Sequence, residues 1–203
     1  MADITSLARV VLLLAFSLPA LAQEAGPQDV VTKMTQDVLA AIKSDRHLAA
    51  DRQKARKLAE EKVLPYIDFE EATRIAMGRA WAQASAAQKK TLVHEFRAML
   101  VRVYTSAGDA YQGEVLKVLP VRGRPQDDEA TVRTQFIRAG GQPLAIEFQV
   151  RRTANGWKIY DIAVEGVSLV LVYRSEFDAV MKSQGIEGLI RRLAEKNAAP
   201  LPA

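Results

Sequence analysis

The pair Asn155-Gly156 stands between the runs QPLAIEFQVRRT and WKIYDIAV and decides how they meet. Asparagine and glycine enter left-handed backbone at little cost, so this dipeptide between strand-like runs marks a β-hairpin. Residues 144–152 and the run after Gly156 are therefore antiparallel neighbours. Further strands are expected over 114–121 and 130–138, where the apolar period shortens after Gly113. In QPLAIEFQV, Leu144, Ile146, Phe148 and Val150 share one face. In the last strand Trp157, Ile159, Asp161 and Ala163 alternate with Lys158, Tyr160, Ile162 and Val164. Both sets are largely apolar, so that strand is expected to be covered on both faces for much of its length.

The cover comes from helices on either side of the strands. From 28 to 43, Val30, Val31, Met34, Val38 and Ile42 recur at helical spacing. The stretch ADRQKARKLAEEKVL carries a thinner stripe through Ala55, Leu58 and Val63 and stops before Pro65. A third helix has Asp68 as N-cap, Glu71 three residues on and Gly78 as its stop, with Phe69, Ala72, Ile75 and Ala76 inward. The strongest helical signal is SAAQKKTLVHEFRAMLVRVYTSAG. There Ser85 and Gln88 form a capping-box pair, and Leu92, Phe96, Met99, Leu100, Val103 and Tyr104 line one broad face. After the strands a helix is expected over 168–182, then Gly185, then a last helix around EGLIRRLAEKN. Helices, four antiparallel strands, then helices describe an α+β fold in one domain.

The first residues belong to a different class of segment. An apolar run over 10–18 is followed by Pro19 and the small-x-small ending Ala20-Leu21-Ala22, the layout of a secretory signal peptide cleaved after Ala22. The run is shorter than the ~20 residues of a spanning helix. We therefore expect residues 1–22 to be a signal peptide and 23–203 a single domain. The chain has no cysteine, so neither disulfides nor thiol chemistry contribute along that export route. The net charge of +4 favours anionic surfaces or ligands weakly, without identifying any.

The familiar chemical constellations do not assemble. Ser168 lies in EGVSLVL, which lacks the second glycine of a nucleophile elbow, and both histidines precede it. Ser168 is read instead as a cap that accepts a backbone N–H near Leu171. His47 and His94 have no metal-ligand spacing, and His94-Glu95 lacks its partner histidine because position 98 is alanine. No glycine-rich phosphate loop occurs, and the aromatics are too few for a nucleic-acid stacking surface. Asp161, the one acid inside an apolar strand, must find donors. It is read as a structural anchor to nearby N–H groups or an arginine, with a general base as the alternative. What remains is apolar surface: a secreted α+β domain that binds rather than catalyses.

The C-terminal half, GWKIYDIAVEGVSLVLVYRSEFDAVMKSQGIEGLIRRLAEK, closely resembles the MlaC family of periplasmic phospholipid-binding proteins, also called the toluene-tolerance family. The matching pieces are Trp157 to Asp161, Glu165-Gly166-Val167-Ser168-Leu169, Tyr173-Arg174 with Phe177, and Gly188-Leu189-Ile190 before Leu193. Asp68-Phe69, Gly78, Trp81 and the helix from Phe96 to Tyr104 match as well. The resemblance implies a helical N-terminal half and C-terminal helices packed on a twisted four-stranded antiparallel sheet, enclosing an apolar cavity. It implies a glycerophospholipid as cargo, no cofactor and no catalysis. The implied partners are an inner-membrane ABC-transporter complex with an MCE-domain ring and an outer-membrane lipoprotein–porin complex. The implied role, for a monomeric protein of the periplasm, is maintaining outer-membrane lipid asymmetry.

On that pattern one wall of the cavity falls to Phe96, Met99, Val103 and Tyr104. A second falls to Phe148, Val150, Ile162 and Val164, and Val167, Val170 and Tyr173 close an end. Arg174 is expected to pair with a carboxylate such as Asp161, with a lipid phosphate as the alternative. Burying each CH₂ is worth ~0.8 kcal/mol, so carrying two tails of about sixteen carbons bare through water would cost on the order of 25 kcal/mol. A soluble carrier must replace the bilayer's apolar contact. Two rival readings stay open: an enzyme using Asp161 on a small apolar substrate, and a protein-interaction domain with a solid interior. The first requires Asp161 to open into a cavity, and the second an exposed apolar patch.

Overall fold

The computed structural model describes residues 25–45, 48, 51–105, 115–121, 127–137 and 141–199. The expected signal segment and His47 lie outside the described residues. Four helices come first: α1 (Pro27–Ser44), α2 (Arg52–Lys62), α3 (Phe69–Met77) and α4 (Ala86–Thr105). Their starts follow the expected side chains. Asp51 accepts the N–H groups of Gln53 and Lys54, and Asp68 accepts that of Glu71 at 3.0 Å. Ser85 and Gln88 exchange reciprocal bonds, Gln88 N–H to Ser85 Oγ and Ser85 N–H to Gln88 Oε1.

Gly78 ends α3 with φ 57° and ψ −133°, a backbone that a side chain strains. A Cβ there would also stand 3.4 Å from the Arg174 guanidinium, which donates to the Ile75 carbonyl at 2.6 Å. Gly78→Ala is expected to lower stability by about 2 kcal/mol. The urea midpoint reads this directly, and an unchanged midpoint would show that the corner relaxes freely.

The strands β1 (Val115–Val118), β2 (Glu129–Ile137), β3 (Leu144–Thr153), β4 (Gly156–Val164) and β5 (Val167–Ser168) form one antiparallel sheet in sequence order. The β3–β4 hairpin forms where Asn155-Gly156 placed it, with Gly156 at φ 85° and opposite Thr153. Among the described residues the sheet has five strands rather than the expected four. Glu165 at φ 49° and Gly166 at φ 79° turn the chain back on itself, so Val167 pairs with Val164 and Ser168 with Ala163. Two left-handed residues in succession make this two-residue reversal possible. Glu165 is held in that conformation by its own N–H, which donates to the Ala145 carbonyl at 2.9 Å.

The helix expected from Ser168 therefore starts later. A 3-10 turn, Leu171–Tyr173, leads into α5 (Arg174–Ala198), which breaks at Gly185 with φ 67°.

Register explains how β4 serves two surfaces. Gln149 pairs with Asp161 but Val150 with Ile159, which leaves Tyr160 as the extra residue of a β-bulge. Before the bulge Trp157 and Ile159 lie opposite Arg152 and Val150; after it Val164 and Ile162 lie opposite Ile146 and Phe148. The apolar set thus changes parity without changing face, and Asp161 turns to the other side.

Two cores result. One joins α3, α4 and α5 around Leu92, Phe96, Phe177 and Leu189. The other packs Val31 and Met34 of α1 on Val132, Phe148, Val150 and Ile159 of the sheet. Between them Arg151 reaches from the sheet to Asp68 at 2.8 Å and to Glu71 at 3.1 Å.

Candidate functional site

An apolar cavity of about 300 Å³ lies where the two cores meet. The helical core contributes Phe69, Ala72, Leu100 and Val170 to its wall, and the sheet core contributes Ile67, Ile159 and Ile162. The remaining cover is α2 and the turn after it, through Ala59, Val63 and Leu64. No side chain of α2 is fully buried. The helix forms because Asp51 caps it and its interior is rich in Lys, Arg, Glu and Ala, all good helix formers. From this segment Ala59 faces the cavity, while Val63 at its C-cap both lines the cavity and packs against the sheet core.

The last turn of α4 frames another side. Val103 and Tyr104 continue the apolar stripe past the core and stand 39% and 40% exposed. Tyr104 lines the cavity with its ring and donates its hydroxyl to the Leu169 carbonyl at 3.1 Å. Burial, then the neighbouring Tyr173 hydroxyl, pushes the Tyr104 phenol up, so it stays a neutral donor.

Asp161 borders the cavity, and its oxygens are taken. Oδ2 accepts from Ser168 Oγ at 2.5 Å, and Oδ1 accepts the N–H groups of Ile162 at 2.8 Å and Val170 at 3.3 Å. Ser168 Oγ in turn accepts the Leu171 N–H at 2.8 Å, the contact expected of a cap, although the element it caps is the 3-10 turn. Burial raises the Asp161 pKa above its ordinary 3.8, opposed by the bonds from Ser168, Ile162 and Val170. The network ties the end of β4 to the corner that opens α5.

Arg174 does not join it. Its guanidinium donates to Ile75 O on the far side of the helical core, so the expected pairing with Asp161 gives way to one with the end of α3. The short turn before α5 carries Arg174 past Asp161 and toward Gly78.

The remaining candidate wall residues divide among four environments. Tyr104, Ile162 and Val170 line the cavity. Phe96 and Met99 are buried in the helical core, where the Phe96 ring meets Tyr173 and Phe177 edge-on at 5.4 and 5.2 Å. Phe148 and Val150 are buried against α1. Val164 is half-buried at the end of β4, and Val167, on the edge strand β5, is 56% exposed. The contribution of Ala59, Val63, Leu64 and Ile67 escaped the sequence reading. Its one signal was the thinness of the α2 stripe, too narrow to seat a helix deeply in a core.

Among the described residues no group of three or more His, Asp or Glu side chains is placed to hold a metal ion. No helix among them is long and apolar enough to cross a membrane.

This arrangement of helices over an antiparallel meander has close counterparts. A phospholipid-binding protein from Ralstonia solanacearum, solved in complex with a phospholipid, superposes with a TM-score of 0.77 and 35% sequence identity. The match covers 86% of this chain and 98% of that one. The intermembrane phospholipid transport system binding protein MlaC of Haemophilus influenzae is 22% identical over 177 residues, 86% of this chain and 81% of its own length. The toluene tolerance protein ttg2D of Pseudomonas putida is 23% identical over 180 residues, 87% and 82% of the two chains. The model of the MlaC protein family matches residues 32–195, from the second turn of α1 to the last turns of α5, and so takes in both cores and the cavity between them; the chain belongs to that family.

Proposed function

We propose that this protein is a periplasmic phospholipid carrier. In this reading it takes glycerophospholipid between an outer-membrane lipoprotein–porin complex and an inner-membrane ABC-transporter complex, and so maintains outer-membrane lipid asymmetry. Residues 1–22 direct its export and 23–203 form the carrier. The observation that carries the reading is the cavity at the junction of the two cores, walled almost wholly by carbon. The lipid held by the Ralstonia relative supports it.

The cavity sits at the low end of the range for ligand pockets, about 300–1,000 Å³. Two acyl chains need more room, and α2 is the wall to yield, since it anchors no buried side chain. Displacing it exposes the sides of the neighbouring cores, and Phe96, Met99, Phe148 and Val150 then lie behind the first layer of contact. Tail burial that matches burial in the membrane leaves exchange near neutral, as release requires. Asp161 takes a structural part, its oxygens already engaged.

Native mass spectrometry of protein purified from the periplasm, followed by organic extraction, tests this. The expected result is a mass increment matching one or more phospholipids. Protein free of extractable lipid under gentle handling would sink the carrier reading.

A further inference from the structure

A second cavity, of about 490 Å³, adjoins the apolar one and shares Leu64, Val101 and Thr105 with it. It adds charge to an otherwise mixed lining. Among the described residues, Arg52, Arg56, Arg97 and Arg102 line it, against the single carboxylate of Glu60. Arg56 is paired with that carboxylate at 2.9 Å, and Arg102 donates to the Asn197 carbonyl at 2.7 Å near the end of α5. Among the described residues Arg52 and Arg97 have no carboxylate within ion-pair distance. Arg97 lies over the Phe69 ring, 5.4 Å from its centroid, and the same ring lines the apolar cavity. A charged group therefore stands at the rim where the carbon wall ends.

We propose that this arginine groove receives the headgroup of the carried lipid and makes the protein favour net-anionic over net-neutral glycerophospholipids. The inference rests on the carrier reading and adds a selectivity to it. Guanidinium forks match phosphate oxygens, and two of them here lack a competing carboxylate. A zwitterionic headgroup brings its own ammonium into a groove of four cations and one anion. A glycerol headgroup brings none. Free phosphate offers the same oxygens, but only a lipid also fills the adjoining apolar space.

The test incubates the delipidated mature chain with vesicles of equimolar phosphatidylglycerol and phosphatidylethanolamine, and reads the retained lipids by mass spectrometry. The expected phosphatidylglycerol excess is about threefold, the scale of one partly exposed ion pair. R52A/R97A brings the ratio down toward that of the vesicles, and R52E/R97E inverts it. R79A/K182A removes two cations from the separate groove beside Gly78 and leaves the ratio unchanged.

A wild-type ratio equal to that of the vesicles overturns the proposal, as does a ratio that R52E/R97E leaves intact. An equal drop in R79A/K182A would assign the preference to overall charge and remove the groove's role. Loss of the excess in millimolar inorganic phosphate would reassign the groove to a free anion. Wild-type protein that takes up neither lipid would instead refute the carrier reading itself.

Discussion

Ala59→Trp is expected to lower lipid retention about a hundredfold while the protein stays folded. Ala59 faces the apolar cavity from α2, a wall that contributes nothing fully buried to either core. An indole projecting from this position takes space that acyl chain would occupy. Displacing as few as four methylenes forfeits about 3 kcal/mol of tail burial, which corresponds to that factor in affinity. The substitution leaves both cores intact, and the exposed helix tolerates tryptophan at a cost of a few tenths of a kcal/mol. Lys57→Trp supplies the control, because Lys57 lies on the wet face of the same helix with its side chain 76% exposed. Lipid co-purifying with each variant can be counted after extraction. Full occupancy in Ala59→Trp would mean that tails lie somewhere other than between α2 and β4.

The second large effect concerns folding. Asp161→Ala removes the acceptor of the Ser168 hydroxyl and of the Ile162 and Val170 N–H groups together. Leaving buried donors unpaired costs 1–3 kcal/mol each, and Val170 keeps a second contact at 3.3 Å to Ser168, so the net loss is about 3 kcal/mol. Asp161→Asn retains an acceptor for the two N–H groups and should cost about 1 kcal/mol or less.

The two variants also separate by pH. Because burial raises the Asp161 pKa in the folded state, its contribution is fully present below the unfolded value near 3.8. It is lost as pH climbs through the raised folded value and is constant above that. Asparagine does not titrate, so the stability of Asp161→Asn relative to wild type should improve as pH rises across that window. Urea midpoints at a series of pH values measure both effects. A fall in the relative stability of Asp161→Asn over the same window would contradict the account of a carboxyl held up by burial. Retained lipid in this variant would agree with a structural role.

Much of the architecture was legible because it rests on local interactions. Asn155-Gly156 made the hairpin, Asp68 and the Ser85–Gln88 pair began their helices, and Gly78 ended one. Each needs only residues within four positions along the chain. The stripe of α4 was equally plain as far as Leu100, and where it outran the core at Val103 and Tyr104 it became a rim.

Three features depended on residues far apart. The bulge at Tyr160 keeps the apolar side chains of β4 on one face although their parity changes, and only the pairing with β3 reveals it. Glu165 accepts a left-handed backbone because Ala145, twenty positions away, holds it, and this created the fifth strand and postponed α5. That delay moved Arg174 from Asp161 to Ile75.

The sequence alone determined the helices, the hairpin and the α+β class, since periodicity and capping are properties of neighbouring residues. Only the tertiary structure decided which apolar side chains fill a core and which face the space between two cores. A stripe records that a side chain avoids water, and what it meets instead depends on the helix or strand packed opposite.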